Sequence, residues 1–302
     1  MRSLRSSATI LAVALPALGL VACGGGGGGG GGSPATAAAP ATPAATSALR
    51  GAGTLTALSG SGVETGTYTP GTGLTTNSSS NNASLNVAAD GSRTLTLPSG
   101  GSAALTATAA PNADGSQAYT GTVSGQSGSS VTLNSYSSAS NLTYSDYGNW
   151  AVSTTSSPTV SLGIYAVGLP TTQMPTTGSA SYTGGTTGVA SLGGTAYNYT
   201  GNTSLTANFA QGGGTISGTL TNLQATPMGS GSTIGMNNIA LGQGNIIGTN
   251  FVGPASSSFN QGALNGNYGG SFYGPGAREA AGTYRLTGSN GDAVAGAFGA
   301  HQ

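Results

Sequence analysis

From Thr54 onward this chain shows no convincing 3.6-residue periodicity but many short runs rich in Thr, Val, Tyr, Ser and Ile, separated by Gly and Asn, several of which alternate with period two. In residues 204–210, SLTANFA, Leu205, Ala207 and Phe209 fall on one face and Thr206 and Asn208 on the other. Ile216 and Leu220 share a face of GTISGTLTNL, and Tyr268 and Phe272 share one of NYGGSFY. This is the pattern of half-buried β-strands. The pieces between them, such as Gln211-Gly212-Gly213-Gly214 and Ser289-Asn290-Gly291-Asp292, read as hairpin turns that need positive φ. About eight such strands fit between residue 178 and the C-terminus, the number that closes a barrel just filled by its own side chains. Residues 50–172 hold weaker strands, broken by a Ser/Asn-rich stretch at 75–83, and Pro170 and Pro175 bracket the boundary. The sequence therefore predicts an all-β chain. A C-terminal eight-stranded antiparallel β-barrel over 173–302 follows a smaller, less regular β-rich region over 50–172 and a disordered N-terminal tether.

The first 49 residues read as an address and a leash. Arg2 and Arg5 precede an apolar run over 8–21, the layout of a secretory signal. The run is shorter than the roughly 20 residues a membrane-spanning helix requires. Leu20-Val21-Ala22-Cys23 resembles the lipobox of bacterial lipoproteins, which implies a signal peptide over 1–22 and acylation of Cys23. Cys23 is the only cysteine, so it has no disulfide partner. Acyl chains there supply a lipid anchor. Gly24, standing where an inner-membrane retention signal carries Asp, points to the outer membrane. Residues 23–49 continue with Gly24 to Gly32 unbroken and then SPATAAAPATPAATSAL, a composition that cannot bury a core. About 26 such residues reach roughly 25–30 Å and hold a folded domain clear of the membrane.

Charge is the scarcest commodity in the chain. Asp, Glu, Lys and Arg make up 4% of it, against about 25% in an ordinary soluble domain. There is no lysine, and six scattered arginines form no phosphate-binding footprint, so nucleic acid is not an expected partner. Removing the signal leaves four arginines against six acids. The only histidine, His301, cannot serve a Ser-His-Asp arrangement from the chain's end, and no G-x-S-x-G motif occurs. Glu64, Asp90, Asp114, Asp146, Glu279 and Asp292 mostly sit beside Gly, Asn or Ser, as turn formers do, rather than as paired acids. The expectation is a protein that is not an enzyme and carries no cofactor or metal.

The last 40 residues hold the most specific pattern. Gly270, Phe272, Tyr273, Gly274, Pro275, Ala277, Glu279, Gly282 and Tyr284 are followed by Gly296, Phe298, Gly299 and Ala300. This resembles the closing stretch of the C-terminal barrel in the transferrin-binding protein B family of surface lipoproteins. Residues 174–184, MPTTGSASYTG, resemble the stretch that opens that barrel, and Tyr147-Gly148-Asn149-Trp150 a segment often found before it. The resemblance covers residues 145–302 and departs from the family at His301, where a basic residue is usual. Physical chemistry agrees with it: Gly-Pro after an aromatic ends a strand. Phe272, Tyr284 and Phe298 are spaced to fill a small barrel, and Glu279 with Arg278 reads as a turn-stabilising pair on the rim.

The resemblance implies ligand capture at the cell surface without naming the ligand. Tyr144, Tyr147 and Trp150 are the expected contact residues, because tyrosine and tryptophan make large amphipathic contacts at small entropic cost. A core role for Trp150 and one of the tyrosines is the competing reading. The expected protein is a monomer anchored to the bacterial outer membrane through acyl chains, binding a protein or a haem or iron carrier. The alternative is a passive envelope lipoprotein or adhesin.

Overall fold

In the computed structural model of the chain, residues 59–76, 82–88, 91–112 and 114–302 are described. The expected signal peptide, Cys23 and the expected tether over 23–49 lie outside them. The described residues form two antiparallel sheets, with one short 3-10 turn at Pro275–Ala277.

The first sheet comprises β1 (Ser59–Thr69), β2 (Gly73–Thr76), β3 (Asn82–Val87), β4 (Arg93–Thr96), β5 (Ser102–Ala107), β6 (Gln117–Val123), β7 (Ser129–Ser135), β8 (Ser145–Thr154) and β9 (Ser157–Gly168). Consecutive strands from β3 to β9 pair in order, and β1 pairs with both β3 and β9, so the sheet closes on itself. β2 is a short flap on the second half of β1. The region expected only to be β-rich is thus a closed ring in its own right. Its strands are short, and Gly66 marks an irregularity in the β1–β9 register. Inside it, Leu85, Leu95, Leu105, Val131, Leu133, Trp150 and Tyr165 form one buried cluster.

The second sheet comprises β10 (Ser179–Leu192), β11 (Thr195–Ala210), β12 (Gly213–Pro227), β13 (Ile234–Gly235), β14 (Ile239–Ile247), β15 (Asn250–Phe259), β16 (Gly262–Tyr273), β17 (Glu279–Gly288) and β18 (Ala293–His301). The chain meanders through hairpins. β10 pairs with β18, and β11 with β12, which closes an eight-stranded barrel with β13 appended to β12. The alternation read from the sequence sets its two faces. Leu205, Ala207 and Phe209 are buried inside while Ser204, Thr206 and Asn208 stand in solvent. Apolar inside and hydroxyl or amide outside is the reverse of a barrel that faces lipid. Gly212, φ 81°, and Gly291, φ 87°, make the two anticipated hairpin turns in a conformation that L side chains resist.

Phenylalanine packs the barrel's centre. Phe272 lies 5.2 Å from Phe251 and 5.5 Å from Phe209, both edge-on, and Phe298 stacks on Phe251 at 6.3 Å. These are the offset arrangements that aromatic quadrupoles favour. The tyrosines beside them satisfy their hydroxyls internally. The Tyr199 and Tyr284 hydroxyls meet at 2.7 Å, Tyr284 reaches Thr186 Oγ1 at 2.8 Å, and Tyr268 donates to the Ile216 and Gly242 carbonyls. A Cβ on Gly296 would lie 2.4 Å from both the Tyr199 and Tyr284 hydroxyl oxygens, so glycine there makes room for the pair. Burial pushes the ionisation of Tyr199 and Tyr284 upward.

Candidate functional site

Strands β8 and β9 turn their outer faces to β17 and β18, and the two sheets share a buried seam. Leu142, Tyr147, Ile164 and Ala166 pack there against Tyr273, Ala281, Ala295 and Ala297. Alanines on the barrel's outer wall let the sheets approach closely. The seam has polar fastenings. Buried Glu279, at the head of β17, accepts from Thr143 N at 2.5 Å, Tyr144 N at 3.0 Å and Ser145 Oγ at 2.8 Å. This corrects the rim pair with Arg278: the carboxylate secures the other sheet. Asn149 Nδ2 donates to Thr187 Oγ1 at 3.0 Å, and the Tyr68 hydroxyl to the Met228 carbonyl at 3.3 Å.

Of the three expected contact residues, Tyr147 and Trp150 separate across β8, and Tyr144 precedes it. Asp146, Gly148, Trp150 and Val152 alternate toward the first ring, while Tyr147 and Asn149 alternate toward the barrel. Trp150 is 1% exposed inside the first ring, with Gly163 against its indole. That burial removes it from ligand contact and makes it a core residue. Tyr147 is equally buried, but its hydroxyl bonds Ser140 Oγ at 2.7 Å and borders a cleft. Burial pushes its pKa upward as well. Tyr144 is half-buried against Gly274, whose φ is 73° and whose Cβ would lie 2.5 Å from the tyrosine ring.

The cleft has a volume of about 510 Å³. One wall is the outer surface of β10, β11 and β12, with Thr183, Gly185, Asn202 and Asn222; the other is the loop segment 136–141 with Tyr136 and Asn141. Tyr136 stacks on Tyr147, with ring centroids 5.8 Å apart and planes at 27°. Gly185 lets the facing segment in, since a Cβ there would come within 2.4 Å of the Tyr147 hydroxyl. Asp114 is the one carboxylate in the lining, and its Oδ1 already accepts from Ser116 N and Ser116 Oγ. His301 is also in the lining, its Nδ1 buried and without a hydrogen-bond partner. Asn141, Asn202 and Asn222 carried no signal in the sequence, because nothing local distinguishes them from other polar residues on β-strands and turns. Among the described residues no group of three or more His, Cys, Asp or Glu is placed to hold a metal.

A second polar cluster lies inside the first ring and belongs to the fold. Arg93 is ion-paired with Asp146, and its other donors reach the Tyr165 hydroxyl and Ser135 Oγ at 3.4 Å. The guanidinium lies 4.0 Å above the Tyr119 ring. Ser135 Oγ also donates to Asp146 Oδ1 at 2.7 Å. Burial opposes the Arg93 charge, but the adjacent Asp146 carboxylate together with Tyr165 and Tyr119 outweighs it, holding the guanidinium above its usual range. Asp146, read from the sequence among the turn formers, is a fully buried strand residue.

Residues 174–302 match the family model described as the C-lobe and N-lobe beta barrels of Tf-binding protein B. Among solved structures, intact Ap-TbpB (N and C lobes) aligns at 18% identity and TM-score 0.51, covering 82% of this chain and 46% of that one. A point mutant of TbpB from Haemophilus parasuis aligns at 17% identity and TM-score 0.49, over 82% and 45% of the two chains. The apo haemoglobin receptor HpuA from Kingella denitrificans aligns at 16% identity and TM-score 0.42, over 80% and 87%. The chain spans less than half the length of the TbpB structures it resembles. A search of the curated proteins found no match.

Proposed function

We propose, from the premise that residues 174–302 belong to the transferrin-binding protein B barrel family, that this chain is a lipid-anchored protein of the bacterial outer membrane. In this reading it is exposed at the cell surface and captures a protein or a haem or iron carrier. The family match over the barrel carries the reading. The Leu20-Val21-Ala22-Cys23 segment and the glycine-rich leash behind it support the anchor. The polar outer wall of β11 supports a body that stands in water rather than in lipid.

The seam between the sheets supports the site. Tyr144, half-buried where the two sheets meet, is the contact residue we retain, while buried Tyr147 backs Tyr136 at the cleft. With so few charges, recognition rests on shape and hydrogen bonding rather than on electrostatic steering. Pull-down by the full chain of purified transferrin, haemoglobin or haem-agarose tests the reading. Retention of at least one, weakened when Tyr144 is replaced by Ala, is the expected result. Failure with all three overturns it.

A further inference from the structure

The cleft's volume of about 510 Å³ falls within the common range of small-ligand sites, about 300–1,000 Å³, but its lining does not follow their mostly apolar pattern. Asparagine amides, the Thr183 and Thr200 hydroxyls and glycine backbone dominate it, and Asp114 is its single carboxylate; the Ser140 and Thr186 hydroxyls are already bonded to Tyr147 and Tyr284. Amides and hydroxyls both donate and accept. A ligand that satisfies such a wall must also do both at many positions, and the scarcity of charge in the lining favours a neutral one.

Three further features mark the cleft as more than a seam. Asn141 and Asn222 both hold φ at 53°, and they face the cleft from opposite sheets. Asparagine adopts this left-handed region more readily than other non-glycine residues. Asn222 sits where the β11–β12 register slips between Thr200 and Asn202, a bulge that re-aims side chains. His301, in the cleft lining, keeps its Nδ1 buried without a hydrogen-bond partner, a group that calls for an explanation. Finally, half-buried Tyr136, backed by Tyr147, offers an aromatic surface for the apolar face of a ring.

We propose that this cleft binds a neutral oligosaccharide, with Asn202, Asn222 and Asn141 exchanging hydrogen bonds with its hydroxyls and Tyr136 stacking against one ring. The proposal rests on the reading of the chain as a binding protein and names the ligand class of this cleft. Saturation-transfer NMR on the full chain, with maltotriose, chitotriose and mannotriose as probes and a heparin tetrasaccharide and tri-serine as controls, tests it. At least one neutral trisaccharide should respond and both controls should stay silent. Combining Asn202→Ala with Asn222→Gly, which keeps the positive φ while deleting the amide, should weaken binding about tenfold or more with unfolding unchanged. Silence from all three trisaccharides overturns the proposal, as does a stronger response to either control or binding that the double variant leaves intact. Loss of transferrin, haemoglobin or haem capture while trisaccharide binding persists counts against the capture reading alone. Capture without any trisaccharide response counts against this proposal alone.

Discussion

The Ser145 hydroxyl, at the start of β8, donates to the Glu279 carboxylate at 2.8 Å across the seam between the two sheets. The same carboxylate takes the Thr143 and Tyr144 amides, so one buried side chain organises the segment that leads into β8. Removing it strands two backbone donors. Glu279→Ala should cost about 2–4 kcal/mol, measured by urea unfolding. Hydrogen exchange should rise first at residues 143–145. Protection there unchanged from the parent would show that the carboxylate does not hold the seam.

Trp150 belongs to the core of the first ring, and its substitution should act on stability. Trp150→Ala is expected to cost about 3–5 kcal/mol, while any ligand affinity measured on the remaining folded protein stays as it was. A fall in affinity with unfolding unchanged would return Trp150 to the binding surface.

Arg93 and Asp146 are both buried, so neither is tolerated alone. Arg93→Met or Asp146→Leu should each cost about 3–5 kcal/mol, and the double variant should recover most of that loss. A double-mutant cycle gives the coupling directly. Additive losses would place the stabilisation in each residue's own packing and not in the pair.

The buried tyrosines make the fold sensitive to alkali. An ordinary tyrosine ionises near pH 10, and burial pushes Tyr182, Tyr268 and Tyr273 up to about 12. The folded state holds protons that the unfolded state releases. The associated stability is therefore complete below about pH 10 and drains as pH rises through about 12. Absorbance at 295 nm should show most tyrosines titrating late, together with unfolding. Ionisation of all twelve tyrosines near pH 10 in a folded protein would refute their burial.

The barrel was legible because its evidence is local. Leu205, Ala207 and Phe209 announce a face by their spacing alone, and Gly212 and Gly291 announce turns by their chemistry. What was not legible depends on parity and distance. Tyr147 and Trp150 look like one aromatic cluster, but an odd separation of three places them on opposite faces of β8. Arg93 meets Asp146 across 53 residues, and Glu279 meets Ser145 across 134. No local signal records either pairing. Ring closure of the first sheet was hidden for the same reason, since β1 and β9 lie at opposite ends of it.

The central claim, a surface-tethered barrel protein, stands or falls on one measurement. Intact cells expressing the parent chain and Cys23→Ala are labelled with antibody against the barrel, then lysed and fractionated. The account predicts surface labelling and membrane retention for the parent, with loss of both and a soluble product for Cys23→Ala. A parent barrel that antibody reaches only after the outer membrane is opened, or a Cys23→Ala chain that stays in the membrane, would contradict it.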